Sequence, residues 1–274
     1  MRPPFVASLA LSLLGLSACC AQAAQLRSSA GADATHLPPH VTSTRTVHTR
    51  LADERHAGGD RGVPAARPIS VGRNKLPSGR AVSELSEREC RRILRNADVR
   101  FDPIPREQAP SISSPVALRS ALLGVRFEPV SGDAKNGMVD CRLAAALLAW
   151  APILRDAGVE RVQHFSTYRP GARVRSTGKT SGHAHALAID AARFFMADGR
   201  VLEVDLDWDE RERNGDPCPV RRSEDADGRI LRQVVCRAVE RDLFQVVITP
   251  HHDRDHQNHV HLELVPGVDW SYIK

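Results

Sequence analysis

Two short stretches gather most of the residues able to do chemistry. Near the C-terminus, Asp255-His256-Gln257-Asn258-His259-Val260-His261-Leu262-Glu263-Leu264 places three histidines in six positions. Upstream, Ser181-Gly182-His183-Ala184-His185-Ala186-Leu187-Ala188-Ile189-Asp190 adds two histidines and a carboxylate. Read as a β-strand, the later stretch points His259, His261 and Glu263 one way and Val260, Leu262 and Leu264 the other. The aliphatic face belongs in a core, so the imidazoles on the opposite face need another reason to be there. Asp190 sits among Leu187, Ile189 and Phe194, in what reads as a buried strand. An ionised carboxylate there must be paired or ligate a metal. Gly and Ala around His183 let the backbone pass close to a ligand.

His183, Asp190 and His261 together make a plausible ligand set. Two neutral imidazoles and one carboxylate suit Zn²⁺, one ion per chain, and three protein ligands leave the fourth tetrahedral position for water. Such a site acidifies that water and polarises a carbonyl. Taken singly, His261 reads as a hydrogen-bonded histidine and Asp190 as a strand-end cap; the joint spacing favours a metal. His185 fits no role beyond a supporting or exposed one. His251 and His252, with Asp253, read as loop decoration, and His164 as a satisfied strand residue. Glu263 shares the histidine face but reads equally well as a solvated strand-end charge.

The elements that must position these residues are partly visible. Ser86-Glu87-Arg88-Glu89 has the form of a capping box, with Cys90, Ile93, Leu94 and Ala97 at helical spacing behind it. A second helix runs from an Asp140 cap through CRLAAALLAW, and Pro152 is expected to kink or end it unless it opens a further turn. Arg161–Thr167 and Leu187–Phe195 read as strands, Leu231–Glu240 as a helix and Phe244–Thr249 as an apolar strand. The last two strands, joined by PHHDRDHQN, are expected to pair antiparallel. One α+β domain over residues 84–274 accounts for the pattern.

The chain of 274 residues carries a net charge of +5, which suits an anionic partner such as nucleic acid, lipid head groups or cell-wall polymer. Aromatics make up 4%, too few for the stacking platforms of a single-strand binder, which argues against nucleic acid. Phe5–Leu16 is an apolar run of signal-peptide length behind Arg2. It ends in Leu16-Ser17-Ala18-Cys19, which resembles a lipoprotein signal over residues 1–18 with acylation at Cys19; cleavage after Ala21-Gln22-Ala23 is the other reading. Either way the protein is expected to be exported, and on the first reading it is a membrane-anchored lipoprotein of the cell envelope, facing the periplasm. Residues 19–83 read as a disordered basic tether, with His36, His40, His48 and His56 solvated. Cys90, Cys141, Cys218 and Cys236 remain, an even set for an oxidising compartment. They allow three connectivities, of which local separation favours Cys90–Cys141 and Cys218–Cys236. No C-x-x-C pair supports a zinc-thiolate site instead.

The pattern S-x-H-x-x-(G/A)-x-A-x-D followed by a late H-x-x-H-x-H resembles the metallopeptidase superfamily of D-alanyl-D-alanine carboxypeptidases, murein endopeptidases and hedgehog signalling domains. Within it the extensin-like C-terminal domain family is most similar, over FSTYRPGARVRSTGKTSGHAHALAIDAARF and LFQVVITPHHDRDHQNHVHLEL. The resemblance implies a small antiparallel sheet with flanking helices. It implies zinc ligation by His183, Asp190 and His261, with His259 near the reacting water and His256 as an accessory histidine. Ser181 would brace the loop and Arg169 would bind a substrate carboxylate, for which a guanidinium fork is suited. The implied activity is hydrolysis of peptidoglycan peptides or cross-links. A non-hydrolytic zinc module that binds cell wall or protein is the other outcome such a scaffold allows, and a metal-free structural module is the third. Three departures stand out. Ala186 occupies a usual glycine position, a mild change where φ is negative. No cysteine separates Tyr168 from Arg169, which leaves the placing of that arginine open. A histidine stands where the carboxypeptidases use a glutamate base.

Overall fold

The computed structural model describes residues 78–209, 215–219 and 224–274; Cys19, the signal segment and nearly all of the tether lie outside them. The first element, α1 (Gly79–Ser83), is one turn capped by Ser78, with Val82 buried. It lies within the stretch expected to be tether, and Gly79 lets it approach the Leu243 carbonyl more closely than a Cβ would permit. The capping box then opens α2 (Glu87–Asn96), with the Ser86 side chain accepting from Glu89 N–H and the Glu89 side chain accepting from Ser86 N–H. Three short strands follow in the next stretch of chain: β1 (Phe101–Pro103), β2 (Pro115–Leu118) and β3 (Arg126–Pro129). After β4 (Met138–Asp140), the Asp140 side chain accepts from Arg142 N–H and starts α3 (Cys141–Asp156).

Pro152 neither ends nor divides α3, which continues through it to Asp156. A proline inside a helix forfeits one backbone bond. Here Trp150, Ile153 and Leu154 are buried around it, and their packing opposes a break. Trp150 is the centre of that packing. Its Nε1–H donates to the Val234 carbonyl at 2.9 Å, and its ring meets Phe194 and Phe244 edge-on at 6.1 Å each, so a single indole ties the helix to the elements on either side.

The chain then forms β5 (Val159–His164), β6 (Ala188–Met196), β7 (Val201–Glu203), the single turn α4 (Val204–Asp207), α5 (Ala226–Glu240), β8 (Val246–Ile248), β9 (Val260–Glu263) and β10 (Tyr272–Ile273). α5 begins earlier than its apolar period suggests, because Asp225 caps it. β1, β2 and β4 make a three-stranded sheet, while the larger sheet runs β10-β8-β9-β6-β5-β3, with β7 added on β6. The expectation of one small antiparallel sheet is therefore corrected. Among the described residues there are two sheets, and the larger is mixed, with β3 parallel to β5 and β10 parallel to β8. The α+β class holds, as does the antiparallel pairing of β8 with β9. Disulfides join Cys90 of α2 to Cys141 of α3, and Cys218 to Cys236 of α5, the pairing that local separation favours. Among the described residues no helix is long and apolar enough to cross a membrane.

Candidate metal centre

The register of two strands builds the site. β6 and β9 pair antiparallel with Asp190 opposite His261 and Ile189 opposite Leu262. The carboxylate and the imidazole therefore share one face, while Ile189, Val260 and Leu262 go to the core on the other. His183 comes from the short turn Gly182–His185 just ahead of β6. Ser181 caps that turn, its hydroxyl accepting from His183 N–H at 3.4 Å. Ala186 leaves the turn with φ +53°. The change from glycine is thus not the mild one expected at negative φ, since the left-handed conformation costs an L-residue about 1–2 kcal/mol. Its methyl is fully buried in a small cluster with Ile112 and Tyr168, an apolar contact that offsets part of the cost.

Three donor atoms converge. His183 Nε2 lies 2.9 Å from Asp190 Oδ1, His261 Nδ1 lies 3.0 Å from the same oxygen, and the two nitrogens are 3.2 Å apart. Surrounding groups decide which ring atoms carry hydrogen. His183 Nδ1 faces the Thr167 carbonyl at 3.3 Å and donates to it; His261 Nε2 faces Glu263 Oε2 at 2.9 Å and donates there. In their neutral forms both rings therefore present a bare lone pair to Asp190 Oδ1, itself an acceptor. Three buried acceptors aimed at one point call for a cation between them, or for a proton in its place. Among the described residues this trio is the group whose ligand atoms lie close enough together to hold a metal. The other carboxylate oxygen is engaged elsewhere: Ser166 Oγ donates to Asp190 Oδ2 at 3.3 Å, and Arg169 Nη2 lies 3.5 Å from it.

The protonation balance reflects the same crowding. Burial raises the cost of charging Asp190, but His183 and the hydrogen bonds from both imidazoles outweigh it and hold its carboxyl well below the usual range. Burial pushes His183 down despite Asp190. Burial also opposes a charge on His261, yet its bonds to Asp190 and Glu263 prevail and raise it to about 9. Without a metal, the proton that the cluster needs thus resides on His261.

His259 occupies the next position. Its Nδ1–H donates to Asn258 Oδ1 at 2.8 Å, and its Nε2 lies 3.4 Å from Asp190 Oδ1. Burial lowers its pKa to about 4, so at pH 7 the ring is neutral and its Nε2 carries a free lone pair. His256 stands behind it, with ring centres 5.2 Å apart and Nδ1 held by Asp253 Oδ1 at 2.6 Å. Arg169 is half-exposed at the rim, its backbone N–H bonded to the His183 carbonyl at 2.9 Å. The structure thus brings His183, Asp190, His261, His259, His256, Ser181 and Arg169 into one neighbourhood.

Other sequence readings change. Glu263 is no solvated strand end: it orients His261, and a Cβ on Gly182 would come within 2.5 Å of its carboxyl carbon. His251 is not loop decoration, being buried and accepting from Trp208 Nε1 at 3.0 Å. His252 is partly exposed and stacks edge-on against Tyr272. His185 is exposed, with Nδ1 at 2.8 Å from the Ser111 carbonyl. His164 is buried but not satisfied, because its Nδ1 has no hydrogen-bond partner. Ser166, the Thr167 carbonyl and Asn258 contribute to the cluster and were missed at the sequence level. The Thr167 carbonyl carries no side-chain signal at all, whereas Asn258, next to His259, does.

A mixed-sheet α+β domain with a buried His–Asp–His cluster on one sheet face is the class of protein that emerges. The chain belongs to the extensin-like protein C-terminus family, whose model matches residues 88–272 and so spans every residue of the cluster. No curated protein and no solved structure matches it.

Proposed function

We propose that the domain is a zinc-dependent peptidase acting on peptidoglycan peptides or cross-links at the cell envelope. The observation that carries this reading is the meeting of three bare acceptor atoms, 2.9–3.2 Å apart, with their tautomers set from behind. Ligands about 2.0–2.1 Å from a tetrahedral zinc ion lie about 3.3 Å from one another, so the residues fit that ion with little adjustment. Zinc bound there supplies Lewis-acid polarisation of an amide carbonyl and acidifies water. The chain's own contributions are distinct. His259, neutral and oriented by Asn258, takes up a proton at Nε2 and can return it to the leaving amine. Arg169 offers a guanidinium at the rim to a substrate carboxylate. The likeness of the motifs to those of carboxypeptidases and murein endopeptidases supports the substrate class, and the hedgehog/peptidase-like fold belongs to the same proposal. So does attachment to the membrane through acylated Cys19.

One observation favours a second reading. His259 Nε2 approaches Asp190 Oδ1 to 3.4 Å, and a histidine closing the fourth ligand position would make the metal structural and the module a non-hydrolytic binder. The deciding experiment incubates the zinc-loaded protein with purified murein, with and without chelator, and analyses released peptides. Chelator-sensitive release supports the peptidase; intact murein with zinc fully bound overturns it.

A further inference from the structure

From Arg161 to Ile189 the chain contains no acidic residue. Within that span residues 169–180 form an arm that is solvent-exposed except at Ala172. It is a defined hairpin rather than a loose loop. Val174 N–H bonds the Lys179 carbonyl at 2.8 Å, Gly178 N–H bonds the Val174 carbonyl at 2.7 Å, and Arg173 bridges Thr180. Gly178 turns the chain with φ +70°, a conformation to which glycine is suited. The root of the arm adjoins the cluster, since Ser181 N–H bonds the Ala172 carbonyl at 3.0 Å two residues ahead of His183. Further out, Arg175 Nη1 meets Asp255 Oδ1 at 3.1 Å, beside His256. The arm therefore runs past the metal cluster from one of its ligand loops to the other.

Its charge exceeds what the fold neutralises. Arg169, Arg173, Arg175 and Lys179 lie on it, and the carboxylates that reach them are Asp190 and Asp255. Among the described residues no carboxylate pairs with Arg173 or Lys179. Exposed cations on a stiff ridge beside a site create a local field that draws anionic groups. The composition narrows the partner. Val174 is the exposed large apolar side chain of the arm, at 40%, which is too little apolar face for insertion into a bilayer. The arm has no aromatic residue on which nucleic-acid bases would stack.

We infer that this arm is a docking ridge for peptide strands bearing free carboxylates, which it holds alongside the metal cluster through Arg173 and Lys179. The identity of the ligand rests on the proposed action at envelope peptides; the cationic ridge does not. The test uses the full chain, zinc-loaded and chelator-treated, bound to purified peptidoglycan sacculi, native or with their carboxylates amidated. The variants are Arg173→Gln/Lys179→Gln and the charge-preserving Arg173→Lys/Lys179→Arg. Exposed charge pairs each contribute modestly, so removing two weakens binding to native sacculi roughly fivefold. The charge-preserving pair binds like wild type, and amidation removes the difference between the proteins. Equal binding by the Gln variant overturns the inference. So does a wild-type preference for phosphatidylglycerol vesicles with amidated sacculi bound as well as native ones. Arm-dependent binding without released peptide leaves the ridge standing and removes the peptidase reading. Released peptide with binding and KM unchanged in the Gln variant does the reverse.

Discussion

Replacing Glu263 by alanine removes the carboxylate that His261 Nε2 meets at 2.9 Å. His261 then loses the partner that keeps hydrogen on Nε2 and the lone pair on Nδ1, facing Asp190. Groups that orient a ligating histidine are typically worth 10–100-fold in metal affinity, which is about 1.4–2.7 kcal/mol. Glutamine keeps an acceptor but loses the charge, so Glu263→Gln falls near the tenfold end and Glu263→Ala near the hundredfold end. In saturating zinc that loss appears as stability through linkage. For a domain of this size about 1 kcal/mol moves Tm by roughly 2–4 °C, so the alanine variant melts about 5–10 °C lower with zinc. Melts of the metal-free proteins give the baseline, and competition with a chelating dye measures affinity directly. Gly182→Ala supplies an independent route to the same defect, because its Cβ would lie 2.5 Å from the Glu263 carboxyl carbon and push it aside. Zinc affinity equal to wild type in both Glu263→Ala and Gly182→Ala refutes the orienting role. Unchanged affinity in Glu263→Gln together with lost turnover would instead make this carboxylate the proton-transfer group.

Further expectations concern the ligands, acid stability and the buried ion pair. His183→Ala, Asp190→Ala and His261→Ala each abolish tight zinc binding, while His259→Ala keeps the metal and loses turnover; metal content after gel filtration decides, and equal loss in His259→Ala makes it a ligand. His164 has its pKa pushed by burial from 6.5 to about 4. The unfolded chain therefore binds a proton that the native state refuses as pH falls through that window, and stability drops with it. Urea unfolding of chelator-treated protein should show the loss between pH 7 and pH 4.5 reduced by about 2–3 kcal/mol in His164→Leu; an unchanged loss contradicts the assignment. Arg232 is buried with Nε 2.6 Å from Glu224 Oε1 and its guanidinium 4.9 Å from the Trp208 ring centre. Arg232→Met is expected to lower stability by about 3–5 kcal/mol in denaturant titration, and a change under about 1 kcal/mol would show that the pair contributes little.

Alternation made the histidine face of β9 legible, because a period of two separates Val260 and Leu262 from His259 and His261 without reference to any neighbour. The buried carboxylate of Asp190 was legible for a similar reason. Glu263 was not, since alternation puts it on the histidine face without saying whether its carboxylate meets solvent or turns to His261 Nε2. The Thr167 carbonyl could not be read, as every residue has one. β1, β2 and β4 span three or four residues each, too short for a period to register, and β1 includes Pro103, which belongs on a sheet edge. The parallel partners β3 and β10 were hidden because pairing direction depends on how distant strands cross. His251 looked like loop decoration because its partner, Trp208, is 43 residues earlier.

The pairing of Asp190 with His261 also sets when the centre can exist. His261, the third proposed ligand, follows the others by 78 and 71 residues, and a one-residue slip of β9 against β6 would turn it into the core. A partly folded chain therefore has no set of atoms with which to capture zinc in the native arrangement. On the proposed zinc reading, metal uptake is a late checkpoint, passed once α5 and β8 have closed and the last long strand has docked in the right frame. Time-resolved zinc capture during refolding would then report completion of the sheet, with the ion acting as an inspector of the finished fold.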